Sequence, residues 1–159
     1  MTAKRGKFAP AVTIVEIMAA ILILTIAVIG ASGYRYYAAL DVRKAAMHRT
    51  AARVALLLCE SWRGQGLTAS GTYDPVAHLG SEISITTSVT GPSAADGFTE
   101  LGRYEIIIDG VHYWVTLSWM DIATELRALN IVAAWDEQGS GADYASTNKT
   151  FKLTTYVAR

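Results

Sequence analysis

Residues 12–34, VTIVEIMAAILILTIAVIGASGY, decide how the rest of the chain is read. From Ile17 to Gly33 there are 17 consecutive residues without a charge, and residues 12–16 extend the apolar stretch to 22 with a single charge, Glu16. A helix crossing a bilayer needs about 20 residues at 1.5 Å each, so this stretch is long enough. A carboxylate in such a helix costs roughly 2.5–3.5 kcal/mol on insertion scales and ordinarily faces a partner. That cost implies a second state in which Glu16 meets a positive charge.

Outward from this stretch, residues 1–11 form a short basic leader, MTAKRGKFAPA, with Lys4, Arg5 and Lys7 and no acid. The positive-inside rule keeps such a leader cytoplasmic and exports the C-terminal part. Arg35, Arg43 and Lys44 lie on the far side and do not reverse that orientation. Two plain readings compete at this point. One is a secretory signal removed after Ala31-Ser32-Gly33, which the basic start fits but the long apolar run and Glu16 oppose. The other is a simple membrane anchor.

A third reading rests on a resemblance. AVTIVEIMAAILIL, residues 11–24, resembles the N-terminal segment of type IV pilins and type II secretion pseudopilins. In that family a membrane peptidase cuts on the cytoplasmic side of the apolar run. The first mature residue is hydrophobic, the second often Thr and the fifth Glu. Ala11, Val12, Thr13 and Glu16 fall on this pattern, with Ala11 in place of the usual glycine. Cutting after Gly6 instead would put Glu16 tenth. The resemblance implies cleavage between Ala11 and Val12, N-methylation of Val12, and assembly through Thr13 and Glu16, the carboxylate pairing with the N-terminus of a neighbouring subunit. It also implies that Gly30 and Gly33 loosen the helix, Gly33 standing where many members carry proline.

The expected fold is α+β and pilin-like. A long N-terminal helix, its first half transmembrane, packs on a mainly antiparallel β-sheet. Residues 34–63 contain no proline and keep helical spacing, with Leu56, Leu57 and the alanines assigned to one face and Gly64 to the stop. The expected organisation is a leader over 1–11, a membrane or filament-core helix over 12–34, a periplasmic half-helix over 35–64 and a β-rich part over 65–159. Residues 64–80 read as a connector because of Gly64, Gly66, Gly71, Asp74-Pro75 and Gly80. Strand patterns follow at Ile83, Ile85, Thr87 and Val89, then on both sides of Asp109-Gly110, a two-residue hairpin turn, and again over 128–135 and 150–158. In the strand after the turn, Val111, Tyr113, Val115, Leu117 and Trp119 share one face, and His112, Trp114, Thr116 and Ser118 the other. The C-terminal runs, with Leu126, Leu129, Ile131, Trp135, Leu153, Thr155 and Tyr156, resemble the end of minor pilins of the V type and of minor pseudopilin I.

Net charge is zero, which gives no nucleic-acid signal, and the one cysteine excludes an intrachain disulfide. Cys59 reads as a small buried residue. His48, His78 and His112 have no partner at metal-ligand spacing, and there is no Cys-x-x-Cys element. Asp136, Glu137 and Asp143 border the last loop without EF-hand order and read as a solvated turn. Trp119 and Trp135 read as core, whereas Trp114, on the opposite face, reads as a surface contact. No catalytic residue, metal or cofactor is expected.

The expectation is therefore a structural subunit of a bacterial pilus or pseudopilus, in the minor role, and not an enzyme. Its partners are other subunits, the prepilin peptidase, the inner-membrane assembly platform and membrane lipid, with no nucleic acid. It is expected to sit in the inner membrane as a single-pass protein with its C-terminal part periplasmic. The rival reading is a bitopic anchored binding module using Trp114 and nearby loops.

Overall fold

The computed structural model describes residues 13–65, 73–138 and 143–158. In chain order the elements are α1 (Ile14–Gly64), α2 (Pro75–Leu79), β1 (Ser84–Thr87), β2 (Thr99–Ile108), β3 (Val111–Ala123), β4 (Leu126–Trp135), a 3-10 turn (Tyr144–Ser146) and β5 (Lys149–Ala158). The fold is α+β: a long N-terminal helix packs against a five-stranded antiparallel sheet in the order β1-β2-β3-β4-β5. The chain divides into two compact units between Arg43 and Lys44, and α1 contributes to both.

In the C-terminal unit, α1 buries Met47, Ala51, Val54, Ala55, Leu58, Cys59 and Trp62. Their spacing of four, three, one, three, one and three residues keeps them on one stripe of a 3.6-residue helix. The stripe packs with Tyr104 and Ile106 of β2, Tyr113, Val115 and Leu117 of β3, and Leu129, Ile131, Ala133 and Trp135 of β4 in one core. Each large side chain buried there is worth about 1.5–3 kcal/mol. Ala51 and Ala55, both fully buried, leave room for the sheet to come close. Leu56 and Leu57 correct the sequence reading: they are 50% and 37% exposed, not core. Residues 54–59 are apolar on every side, so periodicity cannot choose the inward face. The neighbours at 47, 51 and 62 choose it.

The turn at Asp109-Gly110 forms as read from the dipeptide. Both residues have positive φ, 52° and 74°, as a type I′ hairpin turn demands. From it β2 and β3 run in register, Ile108 opposite Val111, until a bulge between Glu100 and Gly102. The runs at 128–135 and 150–158 are β4 and β5, paired from Trp135–Lys149 to Leu126–Ala158. Val89 lies beyond β1 and is exposed. The supposed connector contains the short helix α2. Asp74 Oδ1 accepts from Val76 N at 2.9 Å as its N-cap, and Pro75 occupies the first turn. Asp-Pro signals a turn and a helix start equally well.

The second face of the sheet is also closed over β3 and β4. Thr116 and Ser118 are fully buried, and every β4 residue from Arg127 to Trp135 is buried. The segment 91–96 lies over this face, where Thr116 Oγ1 donates to Pro92 O at 2.6 Å. A Cβ on Gly91 would stand 3.2 Å from Thr116 Oγ1 and 3.3 Å from Arg103 Cδ, so a larger residue would lift the segment. Polar side chains at one end of this face bond to each other: Ser118 Oγ to Asn130 Oδ1 at 3.4 Å, and Asn130 Nδ2 to Thr154 Oγ1 at 2.8 Å. Such pairing is what lets buried polar groups sit in a sheet without a large desolvation cost.

Candidate functional site: the apolar N-terminal helix

Helix α1 begins with a cap. Thr13 Oγ1 accepts from Glu16 N at 3.3 Å, and Thr13 O accepts from Glu16 N at 3.1 Å and Ile17 N at 3.2 Å. Thr13 is thus the N-cap of α1, a local role that the sequence carried as Thr-x-x-Glu, the capping-box spacing. Glu16 lies in the first turn, where the helix macrodipole favours a negative charge. Its side chain is exposed and has no ion-pair partner among the described residues. Ala11 and Val12, read as the cleavage and methylation positions, lie outside the described residues.

From Ile14 to Ile29 every Val, Ile, Leu and Met side chain is half or more exposed, eleven in all. By length and composition α1 is able to cross a membrane. On the insertion scale eleven such side chains return about 3–7 kcal/mol. The charge at Glu16 costs about 2.5–3.5 kcal/mol at mid-helix and less near an end. The apolar side chains therefore supply at least as much as a charge at this position costs. The polar groups within the run are internally satisfied: Thr25 Oγ1 and Ser32 Oγ each donate at 2.8 Å to the carbonyl one turn back, on Ile21 and Val28. From Glu16 onward the helical backbone and the hydroxyls of Thr25 and Ser32 are paired within α1, the condition a spanning helix must meet.

Gly30 and Gly33 sit inside α1, which runs through both without a break. A Cβ at either would meet nothing within 4 Å. Glycine costs a helix only about 1 kcal/mol relative to alanine, less than the flanking turns supply. Among the described residues nothing requires glycine at these two positions.

Trp114 is corrected outright. It is 2% exposed, with its ring 6.1 Å from Tyr144 and 5.8 Å from His112. Strand alternation placed it on the outer face correctly, but the cover supplied from outside the strand could not be seen in the alternation. Trp119 meets the expectation for core less fully. It is partly buried, and Arg127 stacks 4.0 Å from its ring centroid. Arg127 itself is 1% exposed and is held by Asp121 through bonds of 2.7 and 3.2 Å.

The remaining chemical groups have structural partners. Burial pushes the Cys59 thiol up, which keeps it protonated. His112 Nδ1 pairs with Glu105 Oε1. Glu137 meets Lys44 at 3.9 Å and Lys149 at 3.7 Å, and Asp143 caps the 3-10 turn through Ala145 N at 3.2 Å. Among the described residues no three His, Cys, Asp or Glu side chains converge as a metal site. An open groove of about 450 Å³ lies beside the 91–96 segment, walled by Pro92, Ala95 and Tyr144 and floored by Val132 and Lys152.

No family model matches the chain, and neither a curated protein nor a solved structure matches it.

Proposed function

We propose that this chain is a structural filament subunit of the type IV pilin or type II secretion pseudopilin kind, in the minor role. It is held in a bacterial inner membrane by the first part of α1, with its C-terminal unit on the periplasmic side. The observation that carries this reading is Glu16. It is an exposed carboxylate, without an ion-pair partner among the described residues, in the first turn of a helix whose next seventeen residues are uncharged. Cleavage between Ala11 and Val12 creates an α-amino group on Val12, four residues before Glu16, cationic at neutral pH with an ordinary pKa near 8. Bundled helices bring one subunit's amine to another's Glu16. In an apolar bundle their attraction must offset the desolvation of both groups, so the pair selects register as much as it adds stability.

Glu16→Ala tests this. The variant is expected to insert as well as the parent, since the span loses a charge. It is expected to be cleaved normally, and to be recovered less in sheared filaments or crosslinked subunit complexes when co-expressed with wild-type chain. Assembly equal to wild type would remove the carboxylate from the account.

A second reading, a bitopic anchored module that binds a ligand, is favoured by the groove between residues 92–96 and Tyr144. In that reading the groove takes the role first given to Trp114.

A further inference from the structure

The apolar run ends in an abrupt aromatic turn, Tyr34-Arg35-Tyr36-Tyr37. The three tyrosines are 76%, 64% and 68% exposed, and the rings of Tyr36 and Tyr37 meet edge-on at 5.7 Å. Their spacing is the informative point. Aromatic residues that dock one face of a helix on a protein recur at three and four residues. Here Tyr34 and Tyr37 share a face at a spacing of three, but Arg35 and Tyr36 fill the positions between them, so the four residues together step round the whole axis at about 100° each. Four exposed side chains, each with an apolar body and a polar tip and together circling the helix, fit an environment that is the same on every side of it. A leaflet boundary is such an environment.

Position along the helix agrees. Residues 14–33 are all helical, and twenty residues at 1.5 Å per residue cover about 30 Å, the thickness of a hydrocarbon core. With Ile14 at one boundary, Tyr34 begins the turn at the other. We infer that Tyr34, Arg35, Tyr36 and Tyr37 form a girdle that seats α1 at the phospholipid headgroup boundary on the C-terminal side of the span. The tyrosine rings lie among the acyl carbonyls with their hydroxyls toward water, and the Arg35 guanidinium reaches lipid phosphate. The girdle fixes the depth of the helix, whereas the smooth apolar run before it leaves depth undetermined. This inference rests on the membrane-spanning part of the function proposed above.

Site-directed spin labels in the full-length chain test it, with Cys59→Ala removing the native thiol and circular dichroism checking the fold. Single cysteines at Ile26, Tyr34, Tyr36 and Tyr37 are labelled in phospholipid vesicles, and collision with oxygen is compared with collision with a water-soluble nickel chelate. The label at 26 is expected to see oxygen and little chelate. At 34, 36 and 37 the oxygen-to-chelate ratio is expected to fall about tenfold, as depth changes from hydrocarbon to interface, and to be alike at all three sites. A graded rise in chelate access that tracks the angle around the helix, with one side shielded from both reagents, would mean that a protein neighbour covers these residues and would overturn the girdle. So would all three sites reading as bulk water or as deep hydrocarbon while 26 stays deep. Chelate access at 26 would defeat the spanning helix itself, and the girdle with it.

Discussion

Trp114 shows how much one residue's role depends on what lies above its strand. Alternation along β3 put it on the outer face with His112, Thr116 and Ser118, and that assignment holds. What alternation cannot encode is that Tyr144 and the segment over the sheet close that face. The two readings differ in energy. Removing a surface tryptophan should change stability little, whereas Trp114→Ala at 2% exposure should cost about 3–5 kcal/mol, read by urea denaturation. Tyr104 gives a second check at the same scale. Burial, with lesser help from Asp74 and Tyr73, pushes its phenol up to about 12. The folded state therefore holds this proton more tightly than the unfolded state, whose tyrosines titrate near 10. Its contribution is whole below about pH 10 and is lost as pH rises toward 12, on the order of 2–3 kcal/mol across the window. Stability of the parent should fall more steeply between pH 10 and 12 than that of Tyr104→Phe; parallel curves would show that Tyr104 ionises freely in the fold.

At the level of elements, legibility followed the strength of local chemistry. The hairpin was plain because Asp109-Gly110 is one of few dipeptides that tolerate two positive φ angles in succession. Gly110→Ala should accordingly cost about 1 kcal/mol or more in thermal or urea unfolding, since its φ of 74° is strained for any side chain with a Cβ. Strands β4 and β5 were plain from their apolar and β-branched runs. Helix α1 was plain in extent but not in orientation. The stretch around Leu56 and Leu57 is apolar on all sides, and only tertiary contacts at Met47, Ala51 and Trp62 select the buried arc. Helix α2 was hidden because five residues carry no period, and its Asp-Pro start also marks a loop. In the candidate site, the long apolar run and the isolated charge of Glu16 were visible directly. The cap made by Thr13 was present as a spacing but was absorbed into an assembly role. The girdle at residues 34–37 needed the exposures of its rings to be recognised.

Taken as a whole molecule, the chain joins two kinds of surface on one helix. The part before Lys44 keeps its large apolar side chains outward, and the part after it turns its apolar stripe onto a sheet. A water-exposed run of eleven large aliphatic side chains is unstable on its own and must be covered by lipid, by other copies of the helix, or by each in turn. The filament-subunit account predicts which covers it, and it makes one commitment that no simple anchor or signal sequence shares: where the mature chain begins. Mass spectrometry of the protein extracted from membranes of cells carrying a prepilin peptidase reads this directly. The account predicts an N-terminal peptide starting at Val12 and heavier by one methyl group. An N-terminus retained at Met1, or one beyond Gly30, would contradict it.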